Sequence, residues 1–105
     1  MRVDTYEAKI FIAGDYATAQ QVCREFCHEF GACVTVTPTE YVYTGGQEAG
    51  VIVGFINYPR FPQTGDQIKM RAFKLADRLR ERLCQHSYTI VASDGTIWDT
   101  TRDQK

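Results

Sequence analysis

The stretch Tyr6-Glu-Ala-Lys-Ile-Phe-Ile-Ala13, followed by a helical segment from Asp15 to Gly31, decides the fold of this chain. In its first part polar and apolar residues alternate, which predicts a half-buried strand. The residues that share one face of this strand are Tyr6, Ala8, Ile10 and Ile12. Asp15 can cap a helix, apolar residues then recur at helical spacing, and Gly31 favours the left-handed backbone that ends many helices. A strand followed by a helix is therefore predicted.

Two further strands are predicted after this helix. Residues 33–44 are rich in β-branched and aromatic residues, with a bend or bulge at Pro38. Residues 45–50 contain three glycines and predict a turn. Residues 51–58 form the most apolar stretch, so we expect this third strand to lie inside the sheet.

The last part of the chain predicts a second helix and a hairpin. Thr64 and Gln67 form a capping-box signature at the start of the helix. Asp94-Gly95 separates the segments 88–93 and 96–100 and is typical of a tight hairpin turn. The polar tail from Thr101 is expected to fray.

This order of elements predicts an α+β fold of the ferredoxin-like split βαβ type. With right-handed crossovers the pattern βαββαβ gives an antiparallel four-stranded sheet with two helices on one face and a C-terminal β-hairpin extension. The length suits one domain over residues 1–105.

Composition restricts the class and the location of the protein. Hydrophobic residues make up 44% and charged residues 24%, as in globular proteins, and a net charge of −1 does not attract nucleic acid over the whole molecule. No apolar run reaches the roughly 18 residues that a membrane span needs, and no apolar leader is visible. We therefore expect a cytoplasmic protein, with no membrane partner and with its four cysteines as thiols.

One face of the predicted sheet has no helix over it. If the helices cover Ile10 and Ile12, then Lys9 and Phe11 lie on the opposite face together with aromatic residues of other strands. A large exposed apolar face usually indicates a partner. The expected partner is another copy of the chain, so a homo-oligomer formed through the sheet is predicted.

Three segments resemble an RNA-recognition motif domain: Ile10-Phe-Ile-Ala-Gly14, the end of the first helix at residues 24–31, and Gly54-Phe-Ile-Asn-Tyr58. The resemblance implies binding of RNA or single-stranded nucleic acid on the open sheet face. It implies that Phe11 and Phe55 are the rings on which bases stack. The three residues before Gly54 are aliphatic, where that family has a basic residue, a glycine and an aromatic residue.

A second resemblance concerns the segments 37–50 and 57–62. They look like small uncharacterised proteins encoded by tailed bacteriophages. This resemblance implies an accessory or host-interaction role, with a host protein as partner.

The densest group of functional residue types lies around the turn between strands two and three and just after strand three. Glycines let backbone N–H groups approach a ligand, tyrosines stack and hydrogen-bond, and Arg60 can form paired hydrogen bonds with a carboxylate or phosphate. We therefore predict a site for a small anionic ligand or a protein partner. Its residues are Tyr41, Tyr43, Thr44, Gly45, Gly46, Glu48, Asn57, Tyr58 and Arg60. The structural alternative is a glycine hairpin and a proline-capped strand end.

Three residues of the first helix are of types that could bind a metal ion. Cys23, Cys27 and His28 are of types that bind zinc, but both cysteines fall on the apolar stripe of the first helix, which favours core packing. No cofactor or metal site is predicted. A basic stripe on the second helix fits either a solvated surface or an electrostatic contact; its residues are Arg71, Lys74, Arg78 and Arg82.

No arrangement of nucleophile, base and orienting group is visible in the sequence. The sequence therefore predicts a non-enzymatic homo-oligomeric binding protein. The alternatives are a nucleic-acid-binding module and a small enzyme with a cleft at a dimer interface.

Overall fold

The computed structural model describes residues 1–102 and shows an α+β fold. Its strands are β1 (Glu7–Ala13), β2 (Thr35–Tyr43), β3 (Gly46–Ile56), β4 (Ser87–Ala92) and β5 (Gly95–Thr100), and its helices are α1 (Tyr16–Phe30) and α2 (Gly65–Arg82). The strands lie in the order β2-β3-β1-β4-β5, and all neighbours are antiparallel. The sheet thus has five strands rather than the predicted four, because the C-terminal hairpin extends it by β5.

The predicted helix boundaries are confirmed by their caps. The Asp15 carboxylate accepts a hydrogen bond from the Thr18 backbone N–H at 2.9 Å, and Gly31 ends α1 with a φ of 66°. At α2 the Thr64 hydroxyl accepts from the Gln67 N–H at 3.1 Å, and the Gln67 side chain accepts from the Thr64 N–H at 3.0 Å. Local sequence determines these ends, since each cap is closed by a hydrogen bond within four residues.

Both helices cover the face of the sheet that carries Ile10 and Ile12, as predicted. The largest fully buried side chains are Phe26, Ile10, Ile68, Leu75, Leu79, Ile90, Val22, Val51 and Val53. Cys23 is also in this core, and burial raises the pKa of its thiol to about 12. Cys23 is therefore a packed, protonated thiol at neutral pH.

Two arginines of the basic stripe on α2 form ion pairs with carboxylates of α1. Arg78 lies 2.6 Å from a carboxylate oxygen of Glu29, and Arg82 lies 2.8 Å from one of Glu25. These arginines hold the pKa of both carboxyl groups below its usual range. The pairs orient α1 against α2, although exposed pairs of this kind add little stability.

The predicted turn at residues 45–50 is mostly strand. Only Thr44 and Gly45 form the turn, and the pairing of Tyr43 with Gly46 starts the ladder that continues along β3. β2 also runs through Pro38 without a break. A proline fits there because β2 is an edge strand, so its missing N–H can face solvent.

No helix within residues 1–102 is long and apolar enough to cross a bilayer.

Candidate functional site

The face of the sheet opposite the helices, called the open face here, carries a row of side chains across all five strands. The strand register places them side by side in the order Thr37, Ile52, Phe11, Thr89 and Trp98. Phe11 is half-buried, whereas Trp98 is 56% exposed. The open face is therefore apolar at its centre, and the predicted position of Phe11 is confirmed.

A cavity of about 320 Å³ lies at the end of this face where β1 ends and β4 begins. Its lining residues are Phe11, Ile12, Ala13, Tyr41, Glu48, Gln85, His86, Ser87, Thr89 and Arg102. The volume is within the range of small-molecule sites, which combine apolar walls with a few polar groups. This cavity is our candidate site.

Tyr41 is held in the wall of the cavity by its hydroxyl and by a glycine beneath its ring. The hydroxyl donates to the backbone oxygen of Val51 at 2.8 Å. A Cβ atom at Gly50 would collide with the Tyr41 ring and would lie 2.6 Å from the carbonyl oxygen of Ile12. Burial, together with the negative charge of Glu48, raises the pKa of Tyr41. Tyr41 is therefore a neutral, fixed ring at neutral pH.

Glu48 lies directly across the β2–β3 hairpin from Tyr41, so both side chains project from the same face. Its side chain is exposed, and within residues 1–102 it has no ion-pair partner. A carboxylate without a partner, next to aromatic rings, gives this side of the cavity a negative potential. It suits a cationic ligand group.

His86 and Arg102 line the cavity from the other side. The N–H of Thr101 donates to the His86 backbone oxygen at 2.8 Å, and the Ser87 hydroxyl donates to the Thr100 hydroxyl at 2.8 Å. The segment at Thr101 and Arg102 is therefore bonded to the start of β4, contrary to the expected fraying. Residues 103–105 of that predicted tail lie outside the described part of the chain.

Sequence reasoning missed Gln85, His86 and Arg102 as site residues. They are far from Glu48 along the chain. They come close to it because β3 and β4 lie on either side of the single strand β1 in the sheet. The predicted C-terminal hairpin was the one sequence signal for these residues. Its pairing brings the end of β5, and so Arg102, back beside the start of β4.

The predicted ligand-binding residues do not form one cluster. Tyr41 and Glu48 line the cavity, and the neighbouring tip of the hairpin carries Tyr43, Thr44, Gly45 and Gly46. Asn57, Tyr58 and Arg60 follow the opposite end of β3. Because β3 has 11 residues, the two groups are separated by roughly 33 Å of extended chain.

The group at the far end of β3 makes structural contacts. The Asn57 amide donates to the Asp4 backbone oxygen at 2.8 Å and accepts from the Gln63 N–H at 2.9 Å. The Arg60 guanidinium lies over the Phe61 ring, 5.5 Å from its centre. Asn57 thus ties the N-terminal segment to the connector before α2, while a ligand role for Arg60 stays a prediction.

The predicted pair of stacking rings is wrong. Phe55 pairs with Ala8, is 5% exposed and belongs to the core beneath the helices. Phe11 pairs with Ile52 on the open face. Phe55 and Ile52 are three residues apart on one strand, and side chains an odd number apart point to opposite faces. The resemblance to an RNA-recognition motif is not confirmed.

Comparisons with known proteins give structural neighbours only. No protein-family model matches the chain, and no curated protein matches it. The fold is similar to a phage SAM lyase in the apo state, with a TM-score of 0.68, 16% identity and coverage of 95% of this chain and 92% of that chain. It is also similar to a phage SAM lyase in complex with S-methyl-5'-thioadenosine, with a TM-score of 0.69, 14% identity and coverage of 100% and 98%.

These identities show a shared fold. The neighbours are phage proteins, which agrees with the predicted phage link, but they are enzymes. This finding contradicts the prediction of a non-enzymatic binding protein and favours the enzyme alternative.

Proposed function

We propose that this protein is a lyase that cleaves S-adenosylmethionine (SAM) and releases S-methyl-5'-thioadenosine. The observation that carries the proposal is the likeness, over the whole of this chain, to a phage SAM lyase whose structure holds that thioether. The cavity beside Tyr41 and Glu48 supports it, because a SAM site must accept a cationic sulfur next to a flat aromatic group.

The reaction breaks the bond between the sulfonium sulfur and Cγ of the methionine portion. The bonding electron pair moves to sulfur, which becomes a neutral thioether that keeps its methyl and adenosyl groups. A lyase adds no water, so Cγ of the remaining fragment must gain a new bond from within that fragment. Either its carboxylate oxygen attacks Cγ and closes a lactone, or a base removes a Cβ proton and an alkene forms. Both routes balance and give the same thioether.

The lining residues can bind the substrate in a defined orientation. The Glu48 carboxylate attracts the sulfonium, and the rings of Tyr41 and Phe11 offer it a cation–π contact. The positive charge disappears as the bond breaks, so these contacts favour the bound substrate more than the transition state. Their expected role is to bind and orient SAM, and to let the neutral product leave.

The proposal is tested by incubating the purified protein with SAM. We expect S-methyl-5'-thioadenosine to appear with turnover, detected by liquid chromatography and mass spectrometry, together with a fragment whose mass identifies the lactone or the alkene. A parallel incubation without protein measures spontaneous decay. Thioether formation no faster than that control would contradict the proposed activity.

We also propose that the protein self-associates through the open face. Ile56 and Val91 are 45% and 40% exposed on this face, and Trp98 is 56% exposed on it. A second copy over this face would cover these apolar side chains and close the cavity into an interface cleft. Light scattering at micromolar concentration should give at least twice the 12.0 kDa monomer mass. A monomer at that concentration would argue against it.

Two further predictions, the ferredoxin-like topology and the cytoplasmic location, are consistent with this proposal. The sheet order β2-β3-β1-β4, with helices after β1 and β3, supports the ferredoxin-like arrangement. All four cysteines are free thiols, which supports action in a reducing compartment such as the cytoplasm.

A further inference from the structure

The lining of the cavity contains one carboxylate side chain and one guanidinium side chain, which have opposite charges. Glu48 belongs to the β2–β3 hairpin, and Arg102 belongs to the segment after β5. The structure thus places a carboxylate and a guanidinium in the lining of one small cavity. A ligand that carries both a cation and an anion complements this arrangement better than a neutral nucleoside does.

The backbone that carries Arg102 is held by several hydrogen bonds. The Arg102 N–H donates to the Thr100 hydroxyl at 3.1 Å, and the Thr101 hydroxyl donates to the His86 backbone oxygen at 3.3 Å. Thr100 also accepts from Ser87, as described above. Because these hydrogen bonds restrain the main chain from Thr100 to the N–H of Arg102, ordering Arg102 onto a ligand costs less entropy than it would on a free segment.

We infer that Arg102 binds the α-carboxylate of the amino-acid portion of the substrate and so selects adenosyl ligands that still carry that portion. The inference rests on the proposed function, since it assigns one end of SAM to one side of the cavity. A guanidinium can donate two parallel hydrogen bonds to a carboxylate. S-methyl-5'-thioadenosine has no carboxylate, so Arg102 retains the substrate and does not retain this product.

The test compares two neutral thioethers that differ in the amino-acid portion. S-adenosylhomocysteine carries the α-carboxylate but has no sulfonium to cleave, whereas S-methyl-5'-thioadenosine lacks the whole portion. Calorimetric titration of wild type and Arg102→Ala should show roughly tenfold weaker binding of S-adenosylhomocysteine by the variant, the effect of one exposed charge-assisted contact. Binding of S-methyl-5'-thioadenosine should not change. Arg102→Lys should recover part of the loss.

Arg24→Ala is the matched control, because Arg24 is an exposed arginine on α1 that does not line the cavity. It should bind both ligands as the wild type does. Equal weakening of both ligands by Arg102→Ala, or no change in either, would overturn the inference while SAM cleavage by the wild type still supported the proposed activity. Conversely, Arg102-dependent binding in a protein that does not cleave SAM would support the carboxylate site and refute the lyase. A wild type that binds neither ligand would overturn the inference.

Discussion

Glu48→Gln is expected to raise KM for SAM by roughly 10- to 100-fold, with a smaller rise in kcat. The substitution keeps the size of the side chain and removes its charge, so the sulfonium loses an attraction that it has in the bound state. Part of that charge is lost in the transition state, so the transition state loses less stabilisation than the bound substrate does, and kcat should rise by less than KM. Steady-state kinetics with thioether detection separate the two constants. Binding of neutral S-methyl-5'-thioadenosine should stay the same.

The matched control is Glu40→Gln. Glu40 is an exposed carboxylate of the same hairpin, but it precedes Tyr41 by one residue on β2 and therefore points away from the cavity. It should leave KM and kcat unchanged. If both variants raised KM equally, the effect would come from the overall charge of the hairpin, and the role of Glu48 in the site would be wrong.

Gly50→Ala is expected to destabilise the fold by about 2–4 kcal/mol, from overpacking and from loss of the Tyr41 hydrogen bond. The new methyl group would meet the Tyr41 ring and the carbonyl oxygen of Ile12. The ring can move away only by leaving the backbone oxygen of Val51, and the carbonyl belongs to the paired strand β1. Urea denaturation measures the loss, and SAM cleavage should fall because Tyr41 is displaced.

Gly54→Ala provides the control on the same strand. A Cβ atom there would lie 2.6 Å from the Thr35 hydroxyl oxygen, which belongs to a side chain that can rotate on the edge strand β2. We expect a loss below about 1 kcal/mol and normal activity, since Gly54 does not line the cavity. Similar losses for the two variants would show that glycine is needed for backbone conformation in β3 rather than to accommodate Tyr41.

The sequence alone predicted the elements whose signals are local. The caps at Asp15, Gly31 and Thr64 depend on residues at most a few positions away, and the alternation around Ile10 identifies the buried face of β1. The turn before β3 was placed wrongly because glycines typical of turns also occur in strands. In β3, Gly50 is needed for the close approach of Tyr41, a residue of the neighbouring strand.

The candidate site was only partly predictable. Tyr41 and Glu48 were identified because they share a hairpin, so their proximity follows from local pairing. Arg60 was grouped with them because it is close in sequence to the end of the same strand. A strand separates its two ends by its full length, and this placed Arg60 far from the hairpin tip.

What the sequence determined by itself was the α+β class, the helix ends and the buried face of β1, because these follow from periodicity and short-range hydrogen bonds. The tertiary structure alone decided that Glu48, His86 and Arg102 surround one cavity. Their approach depends on the lateral order of strands from distant parts of the chain, which is determined by burial of a common core beneath α1 and α2 and not by any local signal.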